Sequence, residues 1–321
     1  MAERVAVLDD YQDVARSYAD WDSLPAQVDV LHEHIGDRQE LLQRLEPYTV
    51  IAAMRERTPF PREVLERLPR LRLLVTTGMR NASIDLDAAT DLGITVCGTG
   101  EDASGRGSSH YTAEMTWALI LAVARRLAQE DRNVREGRWQ QSVGDGLAGG
   151  TLGLIGLGRI GSRVAAVARA FDMDVVAWSE NLTDTRAREA GARRVSRQEL
   201  FAGSDVISIH TRLSERTRGL VGADEIARMK PTAYLVNTSR GPIVDEESLQ
   251  RALREGRIAG AGLDVYAREP LAKDDPWRSV PNTVLTPHLG YVTTQNYRSF
   301  YEQTVECIAA YLAGEPIRVL T

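Results

Sequence analysis

Cysteine is scarce in this chain. Cys97 and Cys307 are the only two in 321 residues, and no C-x-x-C pair occurs. So few thiols exclude a disulfide scaffold and a cysteine-built zinc site, and they fit a reducing cytoplasm. Long apolar runs are missing as well. The most apolar helical stretch, Trp117 to Ala124, stops at Arg125 and Arg126, far short of the ~20 residues that cross a bilayer. Met1 to Asp10 carry neither the basic start nor the apolar run of a secretion signal. The expected protein is soluble and cytoplasmic, with no membrane partner. No basic stripe exists either: 39 lysines and arginines are scattered among 45 acids, for a net charge of -6. That balance argues against nucleic acid as a partner. No His/Asp/Glu cluster stands at ligand spacing in the sequence, so no metal is expected.

What remains is ordinary globular material, 43% hydrophobic and 26% charged, long enough for about two domains. Short β-rich runs lie at Val5–Leu8, Val28–Leu31, Val50–Met54, Leu73–Thr76 and Ile94–Cys97, with helical patterns near Glu40–Leu45 and Glu63–Leu68. Strands alternating with helices predict a parallel sheet covered by helices. Gly98–Gly107, rich in glycine, reads as a connection between domains. A long helix is expected from about Ser109 to Ala128, with continuation toward Arg135. A second series starts at Thr151 and continues through Val175–Ala177, Val206–Ile209, Tyr234–Asn237, Gly260–Asp264 and Thr283–Thr286. Six evenly spaced strands suit a doubly wound dinucleotide fold. The last helix, about Gln295–Leu312, lies beyond that count and is expected to return to the first domain. Residues 1–98 plus 291–321 then form one domain, and residues 99–290 the other.

The strand Thr151–Ile155 runs straight into Gly156-Leu157-Gly158-Arg159-Ile160-Gly161, and an alanine-rich helical run follows. A bare G-x-G-x-x-G is weak evidence; between a strand and a helix it becomes strong. Gly156 permits the tight turn, Gly158 lets backbone approach a pyrophosphate, and Gly161 lets helix and strand pack closely. The helix N-terminus adds free N–H groups and partial positive charge. About 20 residues on, where an acid would bind the adenosine ribose, stands Ser179, followed by Glu180. Without a carboxylate at 179 a 2′-phosphate meets less repulsion, so the sequence leaves NAD and NADP both open.

Three segments near the end of the second series carry residues suited to reduction of a 2-keto acid. They are Asn237–Gly241 with Arg240, Leu263–Pro270 with Glu269, and Thr286–Gly290 with His288. Each follows an expected strand, and ligands of open α/β sheets bind at the carboxyl ends of strands. Arg240 offers a planar fork that matches a carboxylate. His288 offers an imidazole for proton transfer, and Glu269 can hold it in one orientation. Singly, each also reads as an ordinary surface or loop residue; the joint placement behind one dinucleotide turn carries the catalytic reading.

These segments resemble the D-isomer-specific 2-hydroxyacid dehydrogenase family, which includes D-lactate, D-glycerate and phosphoglycerate dehydrogenases. The likeness covers almost the whole chain. It takes in Ala113-Glu114, Gly137-Arg138-Trp139, Gly153–Gly161, Met229-Lys230-Pro231, Asn237–Gly241, Asp245-Glu246, Leu263–Val265, Glu269-Pro270 and Thr286–Gly290. It implies an α/β fold of two doubly wound parallel-sheet lobes, with a Rossmann-type cofactor domain inserted in a discontinuous flavodoxin-like substrate domain. It also implies hydride transfer between NAD(P)H and a small 2-keto acid to give a D-2-hydroxy acid. By resemblance Arg240 orients substrate, His288 is the acid/base and Glu269 supports it. Arg159 and Ile160 then meet the pyrophosphate, Thr238 the cofactor near the active site, and Asp264 the nicotinamide end. A homodimer through the cofactor domain is implied, a contact the apolar helix Trp117–Ala124 would suit.

The chain departs from the family pattern in the substrate turn, near the adenosine ribose and after the histidine. The turn that holds a substrate carboxylate through backbone N–H groups reads Gly78-Met79-Arg80, where Arg80 adds a cation favouring a second acidic group. Arg55 matches a position that can face substrate. Arg212 replaces the usual proline near the adenosine ribose and, with Ser179, favours a 2′-phosphate. Tyr291 stands where the family commonly has alanine, which narrows the pocket or adds a hydroxyl. A non-catalytic NAD(H)-sensing interaction protein of corepressor type, on the same fold, is the alternative reading.

Overall fold

The first five strands form one parallel sheet in a computed structural model that describes residues 3–101 and 105–321. They are β1 (Glu3–Val7), β2 (Ala26–Val30), β3 (Val50–Ala53), β4 (Leu73–Thr76) and β5 (Thr95–Gly98), in the order β2-β1-β3-β4-β5. That is the flavodoxin-like order, with a switch point between β1 and β3. Val5 of β1 registers with Val28 on one side and Val50 on the other. β3 and β4 are buried on every residue, so their runs are continuously apolar instead of alternating. Helix Arg38–Leu45 starts where the Asp37 side chain accepts the Glu40 N–H at 2.9 Å, and it buries Leu41, Leu42 and Leu45. Helix Thr294–Leu312 packs on β4 and β5 and buries Tyr297, Phe300, Tyr301, Cys307 and Ile308. Both cysteines are buried and free, with the Cys307 thiol 3.6 Å from the Gly98 carbonyl.

The second sheet holds β6 (Thr151–Ile155), β7 (Asp174–Trp178), β8 (Arg193–Arg194), β9 (Val206–Ile209), β10 (Tyr234–Asn237), β11 (Gly260–Leu263) and β12 (Thr283–Leu285). Its order, β12-β11-β10-β9-β6-β7-β8, is the doubly wound arrangement with its reversal at β6 and β9. The sequence reading counted six of these strands and missed β8. Two exposed arginines on a sheet edge have neither the length nor the apolar pattern that marks a strand.

The long helix also differs from its expected extent. It runs Ser108–Ala124, and a second helix, Leu127–Arg135, starts after Arg126. Arg126 sits at φ 54, left-handed backbone that no helix interior accommodates. The apolar face of the longer helix is consumed within its own unit. Trp117, Leu119, Ile120 and Val123 are buried with Leu152, Leu154, Val164 and Val175, and Trp117 stacks on Phe171. Trp117, Leu119, Ile120 and Val123 are therefore core, and Ala118, Leu121 and Ala122 are the residues of Trp117–Ala124 that this packing leaves less than buried.

By compactness the chain divides into residues Met1–Gly107 with Thr293–Thr321, and Ser108–Val292. The division falls at 107/108 and 292/293, against the expected 98/99 and 290/291. Within the connector, Gly100 donates its N–H to Gln303 Oε1 at 2.6 Å, which ties it to the first unit; residues 102–104 lie outside the described residues. Among the described residues, no helix is long and apolar enough to cross a membrane.

Candidate active site

The glycine turn sits at the reversal of the second sheet. Gly156 adopts φ 97 and donates its N–H to the Trp178 carbonyl at 2.8 Å. A Cβ there would lie 2.8 Å from the His210 backbone, so both conformation and space require glycine. Gly161 lies in the first turn of helix Arg159–Ala170, and a Cβ on it would lie 2.3 Å from the Gly156 carbonyl oxygen. Gly158, the N-cap between them, has nothing within 4 Å of its Cβ position. The turn is closed where helix meets strand and open where an anion would approach the helix N-terminus, which fits a dinucleotide pyrophosphate. Arg159 and Ile160 open that helix. Burial pushes the His210 imidazole down to about 3, and its Nε2 lies 2.9 Å from the Ser208 hydroxyl, so a neutral ring packs beneath the turn.

Ser179 follows β7 directly, and Arg212 is exposed in the loop after β9. β6 separates those two strands, so the two residues leave the sheet roughly 10 Å apart at ~4.8 Å per strand. Thr238 is buried after β10, its hydroxyl 2.8 Å from that of Thr116.

Arg240, Glu269 and His288 follow the carboxyl ends of the neighbouring strands β10, β11 and β12. Glu269 and His288 meet directly, with Oε2 to Nδ1 at 2.6 Å. The other carboxylate oxygen accepts the Tyr266 N–H at 2.9 Å, so the acid is fixed at both ends. The Arg240 segment reaches the loop that carries Glu269: the backbone of Gly241 lies against Tyr266, where a Cβ would fall 2.0 Å from the Tyr266 carbonyl carbon. Arg240 donates from Nη1 to the Ser239 carbonyl at 2.8 Å, and Asn237 braces the turn by accepting the Ser239 N–H and donating to the Arg240 carbonyl.

Asp264, read from the sequence as a nicotinamide contact, is fully buried and holds the histidine loop together. Its carboxylate accepts N–H groups from Leu289 (2.7 Å) and Gly290 (2.8 Å) and the Thr286 hydroxyl (2.6 Å), while its carbonyl accepts the His288 N–H (2.8 Å). Burial raises its pKa, and these hydrogen bonds oppose the shift. No local signal reveals this clamp, because its partners lie more than twenty residues downstream in sequence.

The first unit carries the remaining candidates at the carboxyl ends of β3 and β4. Arg55 adopts φ 52 and donates from Nη1 to the Thr77 carbonyl at 3.0 Å. Met79 and Arg80 are exposed after Gly78, whose φ is 97. The Gly78 N–H is taken by Thr99 Oγ1 at 2.7 Å, whereas the Met79 and Arg80 N–H groups meet no acceptor among the described residues. The same unit also brings three ligand-type side chains together. Asp10, Asp13 and His32 offer a group of ligand-type atoms close together, with His32 Nδ1 3.6 Å from Asp13 and 3.9 Å from Asp10. The sequence hides this cluster because strand ends bring distant residues together. The Asp10 carboxylate is already committed to the N–H groups of Val14 and Ala15 and to the Tyr301 hydroxyl.

Comparison with known proteins follows the same lines. The family model described as D-isomer specific 2-hydroxyacid dehydrogenase, NAD binding domain, matches residues 117–290. A glyoxylate reductase of Korarchaeum cryptofilum is 38% identical over 263 residues, covering 80% of this chain and 78% of that protein. The crystal structure of a phosphoglycerate oxidoreductase from Vibrio cholerae superposes with a TM-score of 0.91 at 34% identity, over 98% of this chain and 100% of that one. A D-lactate dehydrogenase from Aquifex aeolicus, solved with NAD and lactic acid, gives a TM-score of 0.77 at 29% identity, over 97% and 96% of the two chains. With its glycine turn, its Glu269–His288 pair and this extent of likeness, the chain belongs to the D-isomer-specific 2-hydroxyacid dehydrogenase family.

Proposed function

We propose that this chain reduces a small 2-keto acid to the D-2-hydroxy acid with NADH or NADPH, and runs the reverse oxidation. One observation carries the reading: the 2.6 Å Glu269–His288 pair lies at the carboxyl edge of the sheet whose reversal holds the G-x-G-x-x-G turn. A bound nicotinamide supplies or accepts the hydride. Arg240 holds the substrate carboxylate and polarises the carbonyl. Glu269 accepts from Nδ1–H, which leaves Nε2 of His288 to give a proton to the carbonyl oxygen and to take it back in reverse. From the first unit, Arg55, Met79 and Arg80 serve substrate selection, with the Met79 and Arg80 N–H groups suited to an anion. The relatives named above are reductases and dehydrogenases, which favours turnover over a corepressor-type sensing role.

Glyoxylate is the first substrate to try, followed by hydroxypyruvate, pyruvate and phenylpyruvate, each with NADH and with NADPH. Consumption of reduced cofactor is the expected result; none across the panel would return the chain to the sensing alternative. We further propose that NADPH is accepted, because Ser179 presents no carboxylate and Arg212 lies within reach of a 2′-phosphate. kcat/KM with NADPH should come within about tenfold of NADH, and Arg212→Ala should lower it by about tenfold, the scale of one charge-assisted hydrogen bond. A strong NADH preference would retire this assignment.

A homodimer in the cytoplasm completes the reading. Trp139 and Val143 are 73% and 90% exposed, and Leu127 and Val134 lie exposed nearby in sequence. Large apolar side chains in such a run mark an interaction surface. Light scattering should give twice the chain mass, and Trp139→Asp with Val143→Asp should give a monomer; a monomeric parent protein would remove the proposal.

A further inference from the structure

We propose that Tyr291 is a positioning residue for His288: its buried ring, set edge-on to the imidazole, completes the fixing of the acid/base that Glu269 begins. The inference rests on the acid/base reading of His288 given above. His288 sits at φ 56, left-handed backbone that few non-glycine residues adopt, and is held there by the Asp264 clamp. The clamp fixes the backbone and leaves the ring to be set by its own contacts. The hydrogen bond from Nδ1 to Glu269 fixes one point of that ring. With the backbone fixed, the Cβ–Cγ bond and this one contact still leave small coupled excursions of χ1 and χ2, and each swings Nε2 away from the atom it must serve.

Tyr291 removes this freedom. The two ring centroids are 5.3 Å apart with planes at 74°, the edge-to-face arrangement that aromatic pairs favour. The tyrosine is itself immobilised, being 4% exposed, and the turn that returns it to the histidine is closed by Val292 N–H donating to the Leu289 carbonyl at 2.8 Å. Thr112 Oγ1 also donates to the Gly290 carbonyl at 3.1 Å, pinning the turn to the long helix. A ring pressed by an anion at one edge and an aromatic side chain across it has one orientation. A small residue at 291 would leave the imidazole with the Glu269 contact alone to restrain χ1 and χ2.

The test compares Tyr291→Ala, Tyr291→Leu and Tyr291→Phe in the full chain, with His288→Ala as control. Readouts are kcat and KM for glyoxylate, NADH affinity by fluorescence, and the melting temperature. Tyr291→Ala should lower kcat by about 10- to 100-fold, the scale of a misoriented catalytic group, while KM and NADH affinity change by less than about threefold. Tyr291→Leu fills the space without a planar ring and should lose kcat at least about fivefold, so it serves if the alanine variant does not fold. Tyr291→Phe should keep kcat within about twofold. Full kcat in the alanine or leucine variant would overturn the proposal. So would parallel loss of kcat and NADH affinity in all three, which marks a structural role, or a loss of kcat in Tyr291→Phe as large as that in Tyr291→Ala, which assigns the effect to the hydroxyl. Full activity in His288→Ala would remove the reading of the site itself, whatever position 291 does.

Discussion

Replacing His288 with alanine should lower kcat/KM for keto-acid reduction by about 10²- to 10⁴-fold, the range of a lost general acid, and leave NADH affinity within a few-fold of the parent. The split follows from the layout of the second unit. The glycine turn lies between β6 and helix Arg159–Ala170 at the sheet reversal, whereas His288 follows β12 on the sheet's outer edge. A change at 288 therefore removes the proposed proton donor without touching the proposed anion site. Glu269→Gln should cost less than His288→Ala, because the amide still accepts from Nδ1 and only the charge is lost; Arg240→Ala should raise KM as well as lower kcat. Steady-state kinetics with NADH titration by fluorescence reads all three variants. If His288→Ala turned over at the parent rate, the proton would have to come from another group, and the catalytic assignment would fail with it.

Much of this candidate site is legible in the sequence, and the reason differs from residue to residue. The glycines at 156, 158 and 161 are readable because each answers a local demand of the strand–turn–helix unit. The positive φ at 156 and the 2.3 Å approach at 161 are what the spacing predicts. Arg240, Glu269 and His288 are readable because each stands just after a strand, and strand ends share an edge in a parallel sheet. What stayed hidden is non-local. The Asp264 clamp joins residues more than twenty apart, and the edge-on contact of Tyr291 with His288 depends on how a turn closes. The cluster of Asp10, Asp13 and His32 likewise exists only once β1 and β2 pair. Trp117–Ala124 shows how far an apolar pattern reaches. The pattern marks apolar side chains that need cover, and only packing says that Trp117, Leu119, Ile120 and Val123 are covered by the chain's own Leu152, Leu154 and Val164.

The glycine turn allows the demands of folding and of cofactor binding to be separated by two substitutions. Gly161→Val should fail at both. Its Cβ would lie 2.3 Å from the Gly156 carbonyl oxygen and 3.6 Å from His210 Cβ, so helix Arg159–Ala170 must move off the strand. Overpacking of that kind costs about 1–3 kcal/mol, and the displaced helix N-terminus should weaken NADH binding by about 100-fold or more. Gly158→Ala should fail at only one. Its φ of -88 suits any residue and its Cβ position is open to 4 Å, so stability should stay within about 0.5 kcal/mol of the parent, as for other unencumbered surface changes. The same methyl group would stand where backbone must come close to a pyrophosphate, and NADH affinity should fall by at least about tenfold. Thermal denaturation and NADH fluorescence, run on both variants, measure the two effects independently. Parent-like NADH binding in Gly158→Ala would mean that the open face of the turn is not where the dinucleotide sits, and the cofactor site would then have to be sought elsewhere along the sheet edge.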